Sequence, residues 1–595
     1  MDLAARLTRE WRYLSGLART LAWVRSIWPT SKHLICDDLE AAVDRWRSRP
    51  ALGFEGATLT YGEMDALANR CAHWALGEGL GQGDSVAVLL PNRLEYLPLW
   101  YGLTKAGVAA ALVNSQLTGP ALAHCLNIAG ASHCIVDAQT QGALEVARVL
   151  LDRPIQAWSL SDPHGGQASF TKALEGLSGE RPPRAGRAGL TAADTALYIY
   201  TSGTTGLPKA ARITHMRAQL FMRGFAGATG AKAADRLYLA LPLYHSTGGL
   251  CAMGAALLNG ASVALKLEFS ASRFWDDVVA EGATLFVYIG ELCRYLAAQP
   301  PHPLERAHRL RLAFGNGLSP DVWLTFETRF AVSRILEFYG STEGNVSMFN
   351  FDGTLGAIGR APNYLGDLFN AALARFDVEV GTPVRGADGL CVKAAPGEVG
   401  ECLGRIGDGA RTAYSGYVDR EASEGKVLHD VFRRGDRWFR TGDLMTRDKD
   451  GCFYFVDRVG DTFRWKGENV STTEVAQRLA AAPGVADATV YGVKVGRLDG
   501  RAGMAALVAE PGFDLAAFGR YAAAALVPYA QPLFLRLVAT LETTGTFKHR
   551  KMDLVADGFD PGEIGAALYF RDKTQGYVPL TQALYERIVS GEERL

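Results

Sequence analysis

Nine consecutive residues, Thr201-Ser202-Gly203-Thr204-Thr205-Gly206-Leu207-Pro208-Lys209, have the composition of a polyphosphate cradle. The hydroxyls of Thr201, Ser202, Thr204 and Thr205 and the Lys209 ammonium are donors for many phosphate oxygens. Gly203 and Gly206 let the backbone fold tightly and turn its N–H groups inward. The pattern is not a G-x-x-x-x-G-K-[ST] loop, because two residues separate Gly203 from Gly206 and Ala210 follows Lys209.

The loop needs a rigid support. Ala196 to Tyr200 is an apolar run suited to a strand that feeds straight into it. Upstream, Ser85 to Leu90 predicts a buried strand, Tyr96 to Gly107 a helix, and Val108 to Val113 another strand. Such alternation predicts β-α units and a parallel sheet. Ser178 to Asp194 carries Pro, Gly and Arg and predicts a surface loop. Charges and glycines concentrate again near Gly442 to Gly467, and strand and helix patterns resume from Val485 to Ala539. The apolar stretch from Leu237 to Leu265 holds His245, Ser246 and Asn259, which suits buried core rather than a membrane span.

With the phosphate loop in place, the chain resembles the adenylate-forming superfamily of acyl-CoA synthetases, luciferases and peptide-synthetase adenylation domains. The other motifs follow in that family's order. Leu241-Pro-Leu-Tyr-His-Ser-Thr-Gly-Gly249 would bring His245 to the acyl pocket, although a single histidine in an apolar stretch is more often buried core. Ala313-Phe-Gly-Asn-Gly-Leu-Ser319 is similar to the turn that lies against adenine, through Gly315, Asn316 and Gly317. In Glu337-Phe-Tyr-Gly-Ser-Thr-Glu343, the resemblance implies that Tyr339 stacks on adenine and Thr342 touches the α-phosphate. Gly340 and Ser341 complete that nucleotide segment, and Glu343 would hold Mg²⁺. The residue types suit these roles, since an aromatic face recognises a base and a carboxylate beside phosphates calls for a hard cation. Asp443 of Thr441-Gly-Asp443 would accept hydrogen bonds from the ribose hydroxyls, with Arg458 nearby.

Phe463-Arg-Trp-Lys-Gly-Glu-Asn-Val-Ser471 and Thr543-Thr-Gly-Thr-Phe-Lys-His-Arg-Lys551 are similar to the branch of fatty acid transport proteins and very long-chain acyl-CoA synthetases. That resemblance implies an α/β fold with mixed α+β subdomains: a large multi-sheet adenylation domain and a small mobile C-terminal domain. The expected boundaries are an N-terminal helical segment at 1–34, the ATP- and acyl-binding body at 35–456, a hinge at 457–461 and the small domain at 462–595. Lys548 would bridge the acyl carboxylate and the α-phosphate, with Lys551 as the alternative lysine. Trp465, Lys466 and Gly467 would line the path of the pantetheine thiol. The implied reaction joins a long- or very long-chain fatty acid to coenzyme A through an acyl-adenylate, with ATP and Mg²⁺. Competing readings are another carboxylate (a bile acid, an aryl acid or carnitine) and a lipid carrier.

Composition narrows the field. The 595 residues carry 62 Lys plus Arg against 63 Asp plus Glu, a formal charge of -1 without the basic footprint of a nucleic-acid binder. The 9 cysteines form no C-x-x-C pair, which argues against a zinc site or a disulfide framework. The N-terminus lacks a signal-peptide pattern. Within residues 1–30, Arg6, Arg9, Arg12, Arg19 and Arg25 interleave with Leu7, Trp11, Leu14, Leu17, Leu21, Val24 and Trp28 at helical spacing. Such a basic amphipathic helix fits either an anionic membrane surface or a packing face on the body. The expected location is cytoplasmic, peripheral on the inner face of the membrane. A homodimer is one assembly compatible with the chain.

Overall fold

The computed structural model describes residues 3–161, 168–201, 207–466, 468–496, 498, 500–543, 549–593 and 595. It divides into two compact units, Met1–Asn370 with Gly404–Val427, and Ala371–Leu403 with Leu428–Leu595. This grouping follows packing, whereas the hinge expected at 457–461 concerns motion.

The first unit holds two large sheets. One has seven strands, in the order Ala168–Ser169, Gln156–Ser159, His133–Val136, Ser85–Val88, Ala109–Leu112, Thr195–Thr201 and Lys209–Thr214. All its pairs are parallel except the last, an antiparallel hairpin in which Thr201 faces Lys209. The strands at 85–88 and 109–112 and the helix Tyr96–Ala106 fulfil the β-α reading of the sequence. Both strands and the helix between them are buried throughout, which is why they lack an alternating polar pattern.

The second sheet has eight strands and is parallel through its middle, from Ile335–Gly340 through Leu312–Asn316, Leu285–Ile289, Arg236–Leu239 and Ser262–Leu265 to Pro50–Phe54. Parallel strands point the same end of each strand toward one edge. The segments after Ile289, Asn316 and Gly340 therefore gather at one rim. The stretch 237–265 is buried core, as its apolarity predicts, and Thr247–Ala252 winds as a π-helix. A Cβ on Gly248 or Gly249 would meet the carbonyl oxygens of Pro242 or Leu243 at 2.4 and 2.1 Å, so only glycine permits this tight return.

The N-terminal helix, Leu3–Val24, packs on the helix His215–Thr229. It docks through a small and polar face, with Tyr13, Gly16 and Thr20 buried. Gly227 accepts the close approach, since a Cβ there would lie 2.7 Å from the Thr20 Cα. Arg9 pairs with Asp352 at 2.7 Å, Glu10 pairs with Arg360 at 2.5 Å, and the Tyr13 hydroxyl donates to the Arg360 carbonyl. The first half of its apolar stripe faces outward instead: Leu3, Leu7, Trp11 and Leu14 are exposed, as is Trp28 just beyond the helix, while Leu17, Leu21 and Val24 are half-buried. Arg6, Arg12 and Arg25 are exposed too. No helix among the described residues is long and apolar enough to cross a membrane. Part of the expected loop at 178–194 is anchored, because Arg187 is buried and pairs with Asp37 at 3.1 Å and Glu40 at 3.0 Å.

The second unit is built from a mainly antiparallel sheet of Val485–Val493, Ala502–Ala509, Phe534–Val538, Ala567–Asp572 and Gly576–Pro579. It also contains the paired strands Arg437–Arg447 and Cys452–Arg458. All nine cysteines of the chain are buried and unbridged.

Candidate active site

Two strand ends frame the segment expected to hold phosphates. Thr201 closes one strand and Lys209 opens the next, directly opposite. Ser202, Gly203, Thr204, Thr205 and Gly206 lie outside the described residues. The Lys209 ammonium sits over the Tyr417 ring, 5.8 Å from its centroid. The Tyr417 hydroxyl in turn donates to Glu343 Oε1 at 2.9 Å. Burial and the Glu343 carboxylate both push the Tyr417 hydroxyl up, so it stays a donor.

Glu343 follows the strand Ile335–Gly340, whose end carries Tyr339 and Gly340, both part-buried. Ser341 turns the chain: its hydroxyl accepts from the Gly344 N–H at 3.1 Å and its carbonyl accepts from the Arg217 guanidinium at 2.8 Å. Thr342 meets Ser246 at 3.0 Å between hydroxyl oxygens. His245 therefore sits one residue from a contact with Thr342, part-buried, its ring 4.6 Å from that of Tyr244. Lys209, Thr342, Glu343 and the His245–Ser246 segment are thus joined, directly or through Tyr417, in one unit. A small depression adjoins them, lined by Arg212, Met216, Arg217, Thr342, Glu343 and Ser415.

Tyr417 and Arg217 were not legible as site residues. Tyr417 lies in a stretch with no motif, and Arg217 lies on a helix whose other residues are mostly buried. Burial lowers the affinity of Arg217 for its proton to about 10, with Glu343 opposing that shift. Its Nε is buried without a hydrogen-bond partner among the described residues. A guanidinium here offsets the Glu343 charge and can meet an incoming anion.

The turn expected to lie against adenine is also formed. Gly315 and Asn316 end the strand Leu312–Asn316, and Gly317 has φ +86. A Cβ on Gly315 would collide with the Tyr288 carbonyl at 2.2 Å. Asn316 Oδ1 is buried without a partner among the described residues, which suits an amide that pairs with a base edge.

In the second unit, Asp443 and Arg458 face each other across two strands, with Arg458 Nε 3.8 Å from Asp443 Oδ1. Asp443 is positioned from below: its N–H donates to Thr441 Oγ1, which donates to the Cys402 carbonyl at 2.7 Å. Neighbouring Asp457 is fully buried and accepts from the Thr472 N–H at 2.6 Å, which pins the helix Thr472–Ala480 to this strand. Gly460 has φ +94, the left-handed conformation that glycine adopts at no steric cost. Trp465 is buried in a short hairpin, Lys466 sits at its turn with φ +53 and donates to the Leu595 carbonyl at 3.0 Å, and Gly467 lies outside the described residues. Lys548 also lies outside them. Its neighbour His549 pairs with Asp487 at 3.0 Å, and Lys551 is engaged by Thr472 at 2.7 Å and Asp461 at 3.4 Å. Glu343 would offer Mg²⁺ a hard carboxylate oxygen, next to the Thr342 hydroxyl, a donor set that fits that ion.

The family models named "AMP-binding enzyme" and "AMP-binding enzyme C-terminal domain" match residues 39–402 and 474–548. The long-chain fatty acid transport protein 6 of Mus musculus is 41% identical over 569 residues, covering 94% of this chain and 91% of that protein. The chain belongs to the AMP-binding enzymes. It shares 41% identity over 551 residues with the long-chain fatty acid transport protein 2 of Rattus norvegicus, covering 91% of this chain and 88% of that protein. Its fold matches that of the anthranilate CoA ligase AuaEII solved with anthranoyl-AMP, with a TM-score of 0.74 over 90% of this chain and 98% of that one, at 22% identity. The two-part α/β architecture expected from the motifs is that of this family.

Proposed function

We propose that this AMP-binding enzyme ligates a long- or very long-chain fatty acid to coenzyme A, releasing AMP and pyrophosphate. The likeness to long-chain fatty acid transport proteins over nearly the whole chain supports the substrate class. The observation that carries the chemistry is the junction of Lys209, Tyr417 and Glu343 beside Thr342.

The first step joins two anions, a carboxylate and a triphosphate. Lys209, Ser202, Thr204 and Thr205 hold the departing pyrophosphate, and Thr342 holds the α-phosphate. Glu343 and Thr342 would hold Mg²⁺, which lowers the charge on the phosphates when bound. Asn316, Gly315, Gly317 and Tyr339 take the base, and Asp443 with Arg458 takes the ribose. Lys548 orients the fatty acid carboxylate for attack on the α-phosphorus. Fixing both reactants in this way contributes up to about 7–11 kcal/mol toward the barrier. A thiol then attacks the acyl carbon and AMP leaves. The site of Lys548 must clear for that thiol, so a pivot at 457–461, centred on Gly460, brings the Trp465–Gly467 segment to the reaction instead.

The outward stripe of the N-terminal helix suits a lipid surface. Its docked face is already used, and exposed Arg6, Arg12 and Arg25 accompany Leu3, Leu7, Trp11 and Leu14. It supports a peripheral position on an anionic membrane, where a fatty acid substrate resides. The word "transport" in the relatives' names favours a second reading, a lipid carrier without turnover.

Separated half-reactions test the chemistry. Lys548→Ala abolishes formation of acyl-AMP from fatty acid and ATP but retains thioester formation from supplied acyl-AMP. Acyl-AMP formation at the parental rate would refute the role of Lys548.

A further inference from the structure

Glu337 opens the motif that carries Tyr339 and Glu343, yet the reaction described above gives it no task. It is 1% exposed, and among the described residues nothing cationic contacts it. Its two oxygens accept three hydrogen bonds. Tyr288 Oη donates to Oε1 at 2.7 Å, the Leu318 N–H donates to Oε1 at 3.1 Å, and the Gly317 N–H donates to Oε2 at 3.1 Å. Two of the three donors belong to the turn after Asn316. That turn has no slack, since Gly317 has φ +86 and a Cβ on Gly290 would overlap the Gly317 carbonyl oxygen at 1.8 Å.

We propose that Glu337 is a positioning residue for the nucleotide base: its carboxylate clasps the Gly315–Leu318 turn to the strand bearing Tyr339, and loss of its charge loosens that clasp. The inference rests on the reading that this turn and Tyr339 receive adenine. An ionised carboxylate only accepts, which matches three donors. A protonated one must donate through one oxygen. Backbone N–H groups cannot accept, so the new O–H turns to Tyr288, whose hydroxyl reverses its role. The oxygen that carries the proton then becomes a poor acceptor for Leu318, and the turn keeps one firm bond instead of two.

The switch lies within reach of ordinary conditions. Burial raises the Glu337 carboxyl to about 8, opposed by the three donors. The titratable groups that act on it are Tyr288, on the strand Leu285–Ile289, and Cys293, on the helix Gly290–Ala298. Burial pushes both far up, so both stay neutral across this range. The turn itself contributes only backbone donors, and Phe338 and Phe225 bring no charge.

Calorimetric binding of AMP to the full-length protein from pH 7 to pH 9 tests this, because the phosphate, with its second pKa at about 6, is already mostly ionised there. Affinity rises roughly tenfold across the range in the parent, the effect of one recovered hydrogen bond to a charged acceptor. Glu337→Gln removes the rise and stays at the weak end. Tyr288→Phe deletes a donor that favours the charged form and leaves both turn N–H groups, so it moves the midpoint to higher pH. A merely structural role would leave the profile unchanged in position. A parental affinity that does not change with pH, or the same rise in Glu337→Gln, overturns the inference. Tyr288→Phe carries the test alone if Glu337→Gln does not fold. Failure of the parent to bind AMP at any pH would instead overturn the functional reading.

Discussion

Tyr417 donates its hydroxyl to Glu343 at 2.9 Å while the Lys209 ammonium rests above the same ring. One aromatic side chain thereby spaces the cation expected at the departing phosphates from the carboxylate expected at Mg²⁺. Without it, the two charges could pair directly and neutralise each other.

Tyr417→Phe keeps the ring and removes the donor. Adenylation, read as fatty-acid-dependent pyrophosphate exchange, falls roughly tenfold, the cost of one charge-assisted hydrogen bond. Tyr417→Ala, which also removes the spacer, falls further. Equal rates in the two variants would mean that spacing is not its role.

Glu343→Gln keeps shape and removes charge. Adenylation falls by roughly 100-fold, and the Mg²⁺ concentration for half-maximal rate rises. A lower rate with the parental Mg²⁺ requirement would place the ion elsewhere.

Asp443→Ala removes the acceptor proposed for the ribose hydroxyls. The KM for ATP rises by roughly ten- to a hundredfold with a smaller change in kcat. The parent discriminates against 2′- and 3′-deoxy-ATP, and the variant loses that discrimination.

Acid stability isolates one buried histidine. Burial lowers His215 from 6.5 to about 4. Its unfolded form therefore binds a proton between those values when the folded form does not, so stability is lost as pH falls from about 6.5 toward 4. His215→Asn reduces the fall in thermal midpoint between pH 6.5 and pH 4.5, measured by calorimetry. An identical fall in both proteins would assign the effect to other groups.

The exposed stripe predicts that Leu7→Glu with Trp11→Glu weakens sedimentation with anionic phosphatidylserine vesicles by at least roughly tenfold, while turnover of a soluble short-chain acid is retained. Unchanged sedimentation would remove the helix from the membrane account.

What could be read before the structure depended on pattern length. The strands at 85–88 and 109–112 and the helix Tyr96–Ala106 each announce themselves within a few residues. The π-turn at 247–252, Arg187 in its buried ion pairs, and the clasp at Glu337 depend on partners far along the chain. Helical spacing identified the apolar stripe of residues 3–24 but not its direction. Packing chose the face with Tyr13, Gly16 and Thr20, where Gly16 lies against the Phe351 ring and Thr20 against Gly227.

AMP-forming ligation of a fatty acid is tested most directly by turnover. Purified protein is incubated with ATP, Mg²⁺, coenzyme A and a panel of carboxylates from short to very long chains, with aryl and bile acids alongside. Acyl-CoA, AMP and pyrophosphate form in equal amounts, fastest with long or very long chains. Release of ADP, preference for an aryl or bile acid, or lipid binding with no turnover of any acid would contradict fatty acid ligation.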